Sequence, residues 1–422
     1  MLKLHALKGM VMWYLHRPSR IKGYIARNKR NEERIRQKDS VTVVFFASNL
    51  SMWHYQGLYE EMLKYPRFKP YIVLSPFNAY TPEQKVSCVK AMREFFDKKD
   101  ISYVDYDTDR MKGYDVKGRL KPDLLFYPQP YFTAMCKEHR YYRFKNSILG
   151  YYPYFFHLNL NDYAYNEDFH NRAWRLYYES DLQKMDAQKV AAIGDFNVRV
   201  VGYPNADEFL KKPKDVWKPQ KTRKKRIIWA PHFTILNDGW MYKANFLWMA
   251  DLMLNYARQY GDIFQFAFKP HPKLLTELYK HPCWGKEKAD AYYNEWKNMD
   301  NGQLEEGLFI DLFMTSDAMI HDSSSFSAEY MYSGNPVMYV CKDMTSILDK
   351  SSYLAKKIYN AHYVGKNDED ILSFLLDVVL NGSDPLKKER KIILNNYLMP
   401  PHNQSCAKNT MEDINNTLCN FD

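Results

Sequence analysis

Glycine is scarce in this chain, 16 in 422 residues, and no Gly-x-Gly-x-x-Gly or Walker-type loop occurs among them. That excludes the glycine-built phosphate cradles of dehydrogenases and P-loop ATPases. Cysteine is scattered: Cys88, Cys136, Cys283, Cys341, Cys406 and Cys419 include no Cys-x-x-Cys pair. Neither a zinc cluster nor a disulfide framework is indicated, and a reducing cytoplasm fits. Repeats and low-complexity tracts are lacking too. Net charge is nearly absent over most of the chain. Residues 1–38 carry eleven Lys/Arg against Glu32 and Glu33, a net +9 of the chain's +10. The balanced remainder argues against a nucleic-acid groove across the main body.

What is present fits a globular protein of two ordinary domains, 46% apolar in 422 residues. The 16% aromatic content, with 35 Tyr, suits clefts that stack on sugars or nucleobases, although most of these rings are expected in cores. In the basic arm, Leu4, Leu7, Val11 and Tyr14 fall at helical spacing, with Met10 and Trp13 beside them, until Pro18 and Ser19 interrupt. This helix is too short and charged to span a bilayer and lacks a signal-peptide cleavage site. An apolar face beside a basic one predicts attachment to an anionic membrane surface, with a docked helix as the alternative.

Beyond the arm, apolar strand-like runs alternate with helical stretches, the pattern of parallel βαβ units. Runs begin at Val41, Tyr71, Ile101, Asp123 and Ser147, and a helix is predicted over Pro82–Lys98. Another strand, Val198–Val201, ends at Gly202-Tyr203-Pro204. The polar, basic stretch 211–226 reads as a linker between a domain at 39–210 and a second at 227–422. In the second, the predicted elements are strand Ile227–Ala230, helix Phe246–Tyr260, strands Phe264–Phe268 and Asp317–Ile320, and strand Pro336–Val340.

The chemistry-bearing residues follow those strands. Trp229-Ala230-Pro231-His232 closes one, Lys269-Pro270-His271-Pro272 another, and His321-Asp322-Ser323-Ser324-Ser325 a third, with Glu329 a turn further on. Ligands of open α/β sheets bind beyond the carboxyl ends of the strands. Helix N-termini and serine hydroxyls there favour phosphate oxygens. His271 and His232 are expected to act on a diphosphate as hydrogen-bond donors, with Lys269 as a nearby charge. Ser323, Ser324 and Ser325 are expected to hold the phosphates, joined by His321 and Asp322, while Glu329 is placed to bind a ribose hydroxyl. Asp322 is also a plausible cap for the following helix. The triplet Asp105, Asp107 and Asp109 imitates a metal motif but lacks the glycine and closing glutamate of a calcium loop. It reads as a solvated strand end, and no metal cofactor is expected.

The succession Val200-Val201-Gly202-Tyr203-Pro204-Asn205-Ala206-Asp207, Trp229-Ala230-Pro231-His232, Lys269-Pro270-His271-Pro272, Ser316-Asp317 and Asp322-Ser323-Ser324-Ser325 resembles the CDP-glycerol glycerophosphotransferase family. That family includes the poly(alditol phosphate) polymerases of teichoic acids and capsules. The resemblance covers roughly residues 40 to 345. It implies a GT-B type fold, two Rossmann-like domains facing across a cleft, and transfer of glycerol phosphate from CDP-glycerol to a hydroxyl with release of CMP. It also implies a lipid-linked glycan acceptor and a peripheral place on the cytoplasmic face of the membrane. His271 matches the family's donor-phosphate histidine, and Asp322 with Ser323–Ser325 its Asp-x-Ser-Ser stretch. The family's His-Gly-Thr motif, whose histidine is similar to a general base, is replaced here by Leu149-Gly150-Tyr151-Tyr152-Pro153-Tyr154-Phe155-Phe156-His157. Tyr152 or His157 would have to take the base's place. A GT-B glycosyltransferase using a nucleotide-sugar and a nonenzymatic binding subunit of a capsule complex are the alternatives.

Overall fold

The computed structural model describes residues 17–131, 133–236, 244–307 and 309–419. It forms two compact units, one of residues up to Ala206 together with those from Met399, the other Asp207–Leu398. The apolar stripe Leu4, Leu7, Val11 and Tyr14 lies outside the described residues.

Seven strands build the first unit's sheet: β1 (Val41–Ala47), β2 (Phe68–Leu74), β3 (Tyr103–Val104), β4 (Leu124–Phe126), β5 (Ile148–Tyr151), β6 (Arg175–Tyr178) and β7 (Val198–Val200). All neighbours pair parallel in the order β3-β2-β1-β4-β5-β6-β7. The run Val-Thr-Val-Val-Phe-Phe-Ala is β1 because a doubly covered parallel strand must be apolar on both faces. Val43 and Phe45 enter one core layer, Val44 and Phe46 the other. Helix Pro82–Lys98 opens with a Thr81–Gln84 capping box and buries Val89, Met92 and Phe96.

The arm's second half is a helix, Arg17–Arg36, docked on this unit. Ile35 is buried. Asn31 Nδ2 donates to the carbonyls of Lys145 (3.1 Å) and Ser147 (3.3 Å). Arg34 and Lys38 both reach the buried Asp123 carboxylate, at 2.9 and 2.7 Å. Within the expected arm 1–38, complementary charge and burial tie this half to the body, the docked arrangement that was the alternative.

The second domain also ends earlier than the expected 227–422. Helix Cys406–Cys419 puts Cys406, Met411, Ile414 and Leu418 into the first unit's core. Its Asp413 gathers Arg175 (3.1 Å), Arg199 (3.2 Å) and the Tyr177 hydroxyl (3.0 Å). Gly202, at φ +97°, lets the returning chain pass: a Cβ there would stand 2.8 Å from the Pro400 Cα.

The second unit's sheet runs β10-β9-β8-β11-β12-β13, again parallel throughout. Its strands are β8 (Lys225–Ala230), β9 (Phe264–Phe268), β10 (Gly302–Leu304), β11 (Ala318–His321), β12 (Val337–Val340) and β13 (Tyr363–Gly365). Trp229 stacks on Phe246 (5.7 Å, 3°) and on Phe268 (5.0 Å, 30°), an aromatic core like that expected of most rings. The stretch 211–226 is no free linker. Trp217 is buried with its indole N–H donating to Thr315 Oγ1 (3.1 Å), and the Lys218 N–H donates to Gln303 Oε1 (2.7 Å).

Candidate functional site

In a sheet of this order, the loops after the first and fourth strands diverge to opposite sides, and the crevice between them receives ligands. In the second unit those strands are β8 and β11, paired up to Ala230 opposite His321. Pro231-His232 leaves β8 and Asp322-Ser323 leaves β11, so two of the expected motifs meet at that switch point. The third lies one strand away, where β9 ends at Phe268.

Main-chain bonds continue past the strand ends. The Lys269 N–H donates to Trp229 O (2.8 Å) and the His271 N–H to Pro231 O (3.0 Å). His271 and His232 are thereby brought ring to ring, with centroids 4.9 Å apart. Phe233 packs 4.5 Å from His271, and Lys273 places its ammonium 5.2 Å over the Phe233 ring. Lys273 also donates its backbone N–H to His271 Nδ1 (3.1 Å), which leaves the proton of the neutral ring on Nε2. His232 Nδ1 pairs with Thr234 Oγ1 (3.0 Å). Burial, with the nearby Lys273 charge, lowers His232 to about 4. Burial, the other histidine and the two lysines lower His271 to about 3. Both imidazoles are therefore neutral near pH 7 and act as hydrogen-bonding groups.

Asp322 is reassigned by its contacts. Its Oδ1 accepts from the His232 N–H (2.7 Å) and its Oδ2 from the N–H (2.6 Å) and side-chain amide (3.3 Å) of Asn245. It makes no cap for helix Ser324–Glu329, whose N-cap position is Ser323 without a side-chain bond. Burial raises the carboxyl's pKa against these donors. The residue clamps the ends of β8 and β11 rather than meeting an anion. Ser323 lies buried at the turn, and the half-buried Ser324 and Ser325 begin the helix.

Several expected ligand contacts are turned away. The Lys269 ammonium is buried and donates to the carbonyls of Gly307 (2.9 Å) and Glu305 (3.4 Å), and burial lowers its pKa. His321 is enclosed beside Tyr339 and His362, its Nδ1 bonded to Ser323 O (3.0 Å). Strand alternation sends its ring into the core layer. Glu329 is buried at the end of its short helix.

In the first unit, Tyr152 stacks on Tyr55 (5.1 Å, 12°) and donates to Thr410 Oγ1 (2.6 Å), and burial pushes its pKa far upward. His157 is buried edge-on to Tyr165 and Tyr178, lowered to about 3 by burial alone. Both are packed among aromatic rings of the first unit's interior. Asp105 pairs with Arg93 at 2.7 Å, and Asp107 closes a turn by accepting from the N–H groups of Asp109 and Arg110. Among the described residues no cluster of three or more His, Cys, Asp or Glu is placed to hold a metal.

Sequence reasoning passed over Lys273, Thr234 and Asn245. Lys273 stands two residues beyond His271, and that spacing in a turn was the one available signal. Asn245 had none, because its role depends on a carboxylate 77 residues away.

No protein-family model and no curated protein matches the chain. Solved structures do resemble it. One is the UDP-GlcNAc 2-epimerase from Neisseria meningitidis bound to UDP-GlcNAc, with a TM-score of 0.58, 15% identity, and coverage of 89% of this chain and 99% of that one. Another is the MnaA–UDP co-structure from S. aureus, at 0.55 and 13%, over 90% and 97%. A third is a variant of the wall teichoic acid polymerase TagF, at 0.55 and 13%, over 98% and 99%. At these identities the likeness is one of fold, and the chain has the GT-B type architecture of two parallel-sheet α/β units, with seven and six strands.

Proposed function

We propose that this protein transfers an alditol phosphate, glycerol phosphate first among candidates, from a CDP-alditol to a hydroxyl of a lipid-linked surface polymer. The observation that carries the reading is the His232–His271 pair at the carboxyl edge of the second sheet, beside the serine turn that leaves β11. In the reaction the hydroxyl oxygen bonds to the phosphorus of the alditol phosphate. The bond from that phosphorus to the bridging oxygen breaks, and CMP leaves. Charge grows on the leaving phosphate, and donors fixed in advance stabilise it without reorganising. The His271 Nε2–H and the serine hydroxyls supply such donors, and Asp322 and Asn245 hold the turn that presents them. Positioning and electrostatics supply most of the acceleration in phosphoryl transfer.

TagF is a fold neighbour also in a structure soaked with CDPG, with a TM-score of 0.53 over 99% of this chain and 98% of that one. That likeness and the motif succession support the donor class. The basic arm supports a peripheral place on the cytoplasmic membrane face. Sugar transfer from a nucleotide-sugar is the second reading, favoured by the UDP-GlcNAc-bound epimerase neighbour. Incubation with a panel of CDP-alditols and nucleotide-sugars decides between them. CMP from CDP-glycerol supports the proposal, and a nucleoside diphosphate from a nucleotide-sugar alone replaces it with the second reading. Activity is expected to persist in EDTA. Loss that magnesium or manganese restores would show a metal requirement.

A further inference from the structure

The positive charge that the main body lacks as a whole is gathered in one place. Residues 211–226 hold nine Lys/Arg against Asp215 alone, a net +8. The segment is fixed along the amino edge of the second sheet. Trp217 and the Lys218 N–H anchor it to Thr315 and Gln303, and the Lys218 ammonium donates to Met299 O (2.6 Å). A cavity of about 740 Å³ opens there, between the segment and the starts of β8, β9 and β11. Every residue at it belongs to the second unit. The His232–His271 pair stands at the opposite edge of the same sheet. Strand β8, six residues long, separates the two by roughly 20 Å at the usual rise per residue. The cavity is therefore distinct from the donor crevice.

Charges at this cavity do not cancel. Its acids are already matched, Asp215 by Arg226 (2.8 Å) and Asp317 by Lys225 (3.6 Å). Arg223 and Lys224 also line it, and Lys221 stands between Gln220 and Thr222 in its wall. Among the described residues, the side chains of these three cations make no hydrogen bond or ion pair. Like charges crowded at a recess with low-dielectric walls raise the local concentration of counter-ions. A guanidinium fork beside an ammonium and the Thr222 hydroxyl is a donor set for phosphate oxygens. A phosphomonoester carries about −1.5 to −2 charges at pH 7, which Arg223 and Lys224 together balance.

The rest of the wall favours an organic group on that phosphate. Trp217, Pro219 and Met314 supply apolar surface. Gln220 and Gln265 spend their amide N–H groups on the carbonyls of Asp300 and Lys218, each at 2.7 Å, and keep their oxygens for hydroxyl donors. The volume is that of an ordinary small-molecule site. A convex basic face would suit a membrane, whereas a recess suits a free ester.

We propose that this cavity is a second ligand site, binding a small organic phosphomonoester through Arg223, Lys224 and Thr222. It stands independently of the transferase reading, since its cations and walls are complete without the donor crevice.

Calorimetric titration of the full chain with glycerol 3-phosphate is the test, at fixed ionic strength and with glycerol and sulfate as controls. The ester is expected to bind, glycerol not at all, and sulfate more weakly than the ester. Arg223→Ala combined with Lys224→Ala should raise the Kd by roughly tenfold or more. Its circular dichroism should be unchanged, because neither side chain holds the fold together. Arg223→Lys, which keeps the charge and loses the fork, should fall between the two. His271→Ala should retain the binding. Unchanged affinity in the folded double variant, no binding by the wild type, or sulfate binding as tight as the ester overturns the proposal. Loss in His271→Ala but not in the double variant places the ester in the donor crevice and overturns it as well. Phosphatidylglycerol vesicles separate the lipid source. Pelleting that depends on Arg223 and Lys224, with no glycerol 3-phosphate isotherm, would give these cations to a membrane surface and overturn the proposal.

Discussion

The His271 ring is committed to donating through Nε2, because the Lys273 N–H occupies Nδ1. Replacing it with Ala, or Ser323 and Ser324 together with Ala, should reduce turnover by roughly 10²-fold or more with the fold intact. A well-folded double serine variant at wild-type turnover would remove those hydroxyls from the donor site. The neutral state of His232 and His271, lowered to about 4 and about 3, has a thermodynamic signature. A bound phosphate favours the protonated form of His232, whose Nδ1 faces a hydroxyl that can turn to accept, so donor binding should take up protons and tighten as pH falls from 7 to 5.5. Calorimetry in buffers of differing ionisation heat measures this. Zero uptake across that range would mean that the rings stay neutral in the complex. Asp322 shows what one sequence conceals about a single residue. Its place after a strand and before serines was legible, but its three N–H donors come from segments 77 and 90 residues away.

At the scale of elements, the docked helix Arg17–Arg36 changes how the arm should be dissected. Removing residues 1–38 would strip Ile35 from the core and leave Asp123 buried without Arg34 and Lys38. Asp123 would keep the Thr42 N–H (3.1 Å), and because both cations are partly exposed the loss is smaller than that of a fully buried pair. Deleting only residues 1–16 is expected to release the protein from anionic vesicles while leaving its melting temperature within a few degrees. Pelleting of that truncation as the full chain pellets would assign attachment to the body. Strands with near-continuous apolar runs, β1 and β9 above all, could be read from sequence because burial on both faces demands them. β6 was missed, since Arg175-Leu-Tyr-Tyr owes its burial to the Asp413 carboxylate on a helix 238 residues on. β10 and β13, three residues each, were too short to carry a period.

For the whole molecule, titration sets the stable range. His54, His139, His157, His170, His232, His271 and His362 are all lowered to about 3 or 4, and His321 lies well below its ordinary value, in each case chiefly through burial. A depressed folded value stabilises above the unfolded value, about 6.5 for histidine, and that stability is lost as pH falls toward the folded one. Each such residue forfeits at most about 2 kcal/mol by pH 5, against a typical total of about 5–15 kcal/mol. Cooperative acid unfolding is expected with a midpoint between about pH 4 and 5.5, followed by circular dichroism. A native spectrum at pH 4 would show that these rings accept protons in place. The expected fold class, two α/β units with parallel sheets, is present, because strand–helix alternation is a local pattern. The ownership of the last segment was not legible, because Cys406–Cys419 has the sequence of an ordinary amphipathic helix and nothing local names its partner.

That last helix also gives the protein a direction in time. A chain emerging from a ribosome presents its N-terminal part first, and domains ordinarily fold in that order. Here residues 207–398 are contiguous and emerge whole, while the earlier unit still lacks the carbonyls of Thr417 and Leu418 that Arg36 and Arg67 hydrogen-bond. The second unit can thus close during synthesis. The first waits for helix Cys406–Cys419, holding an open apolar face until that helix has emerged.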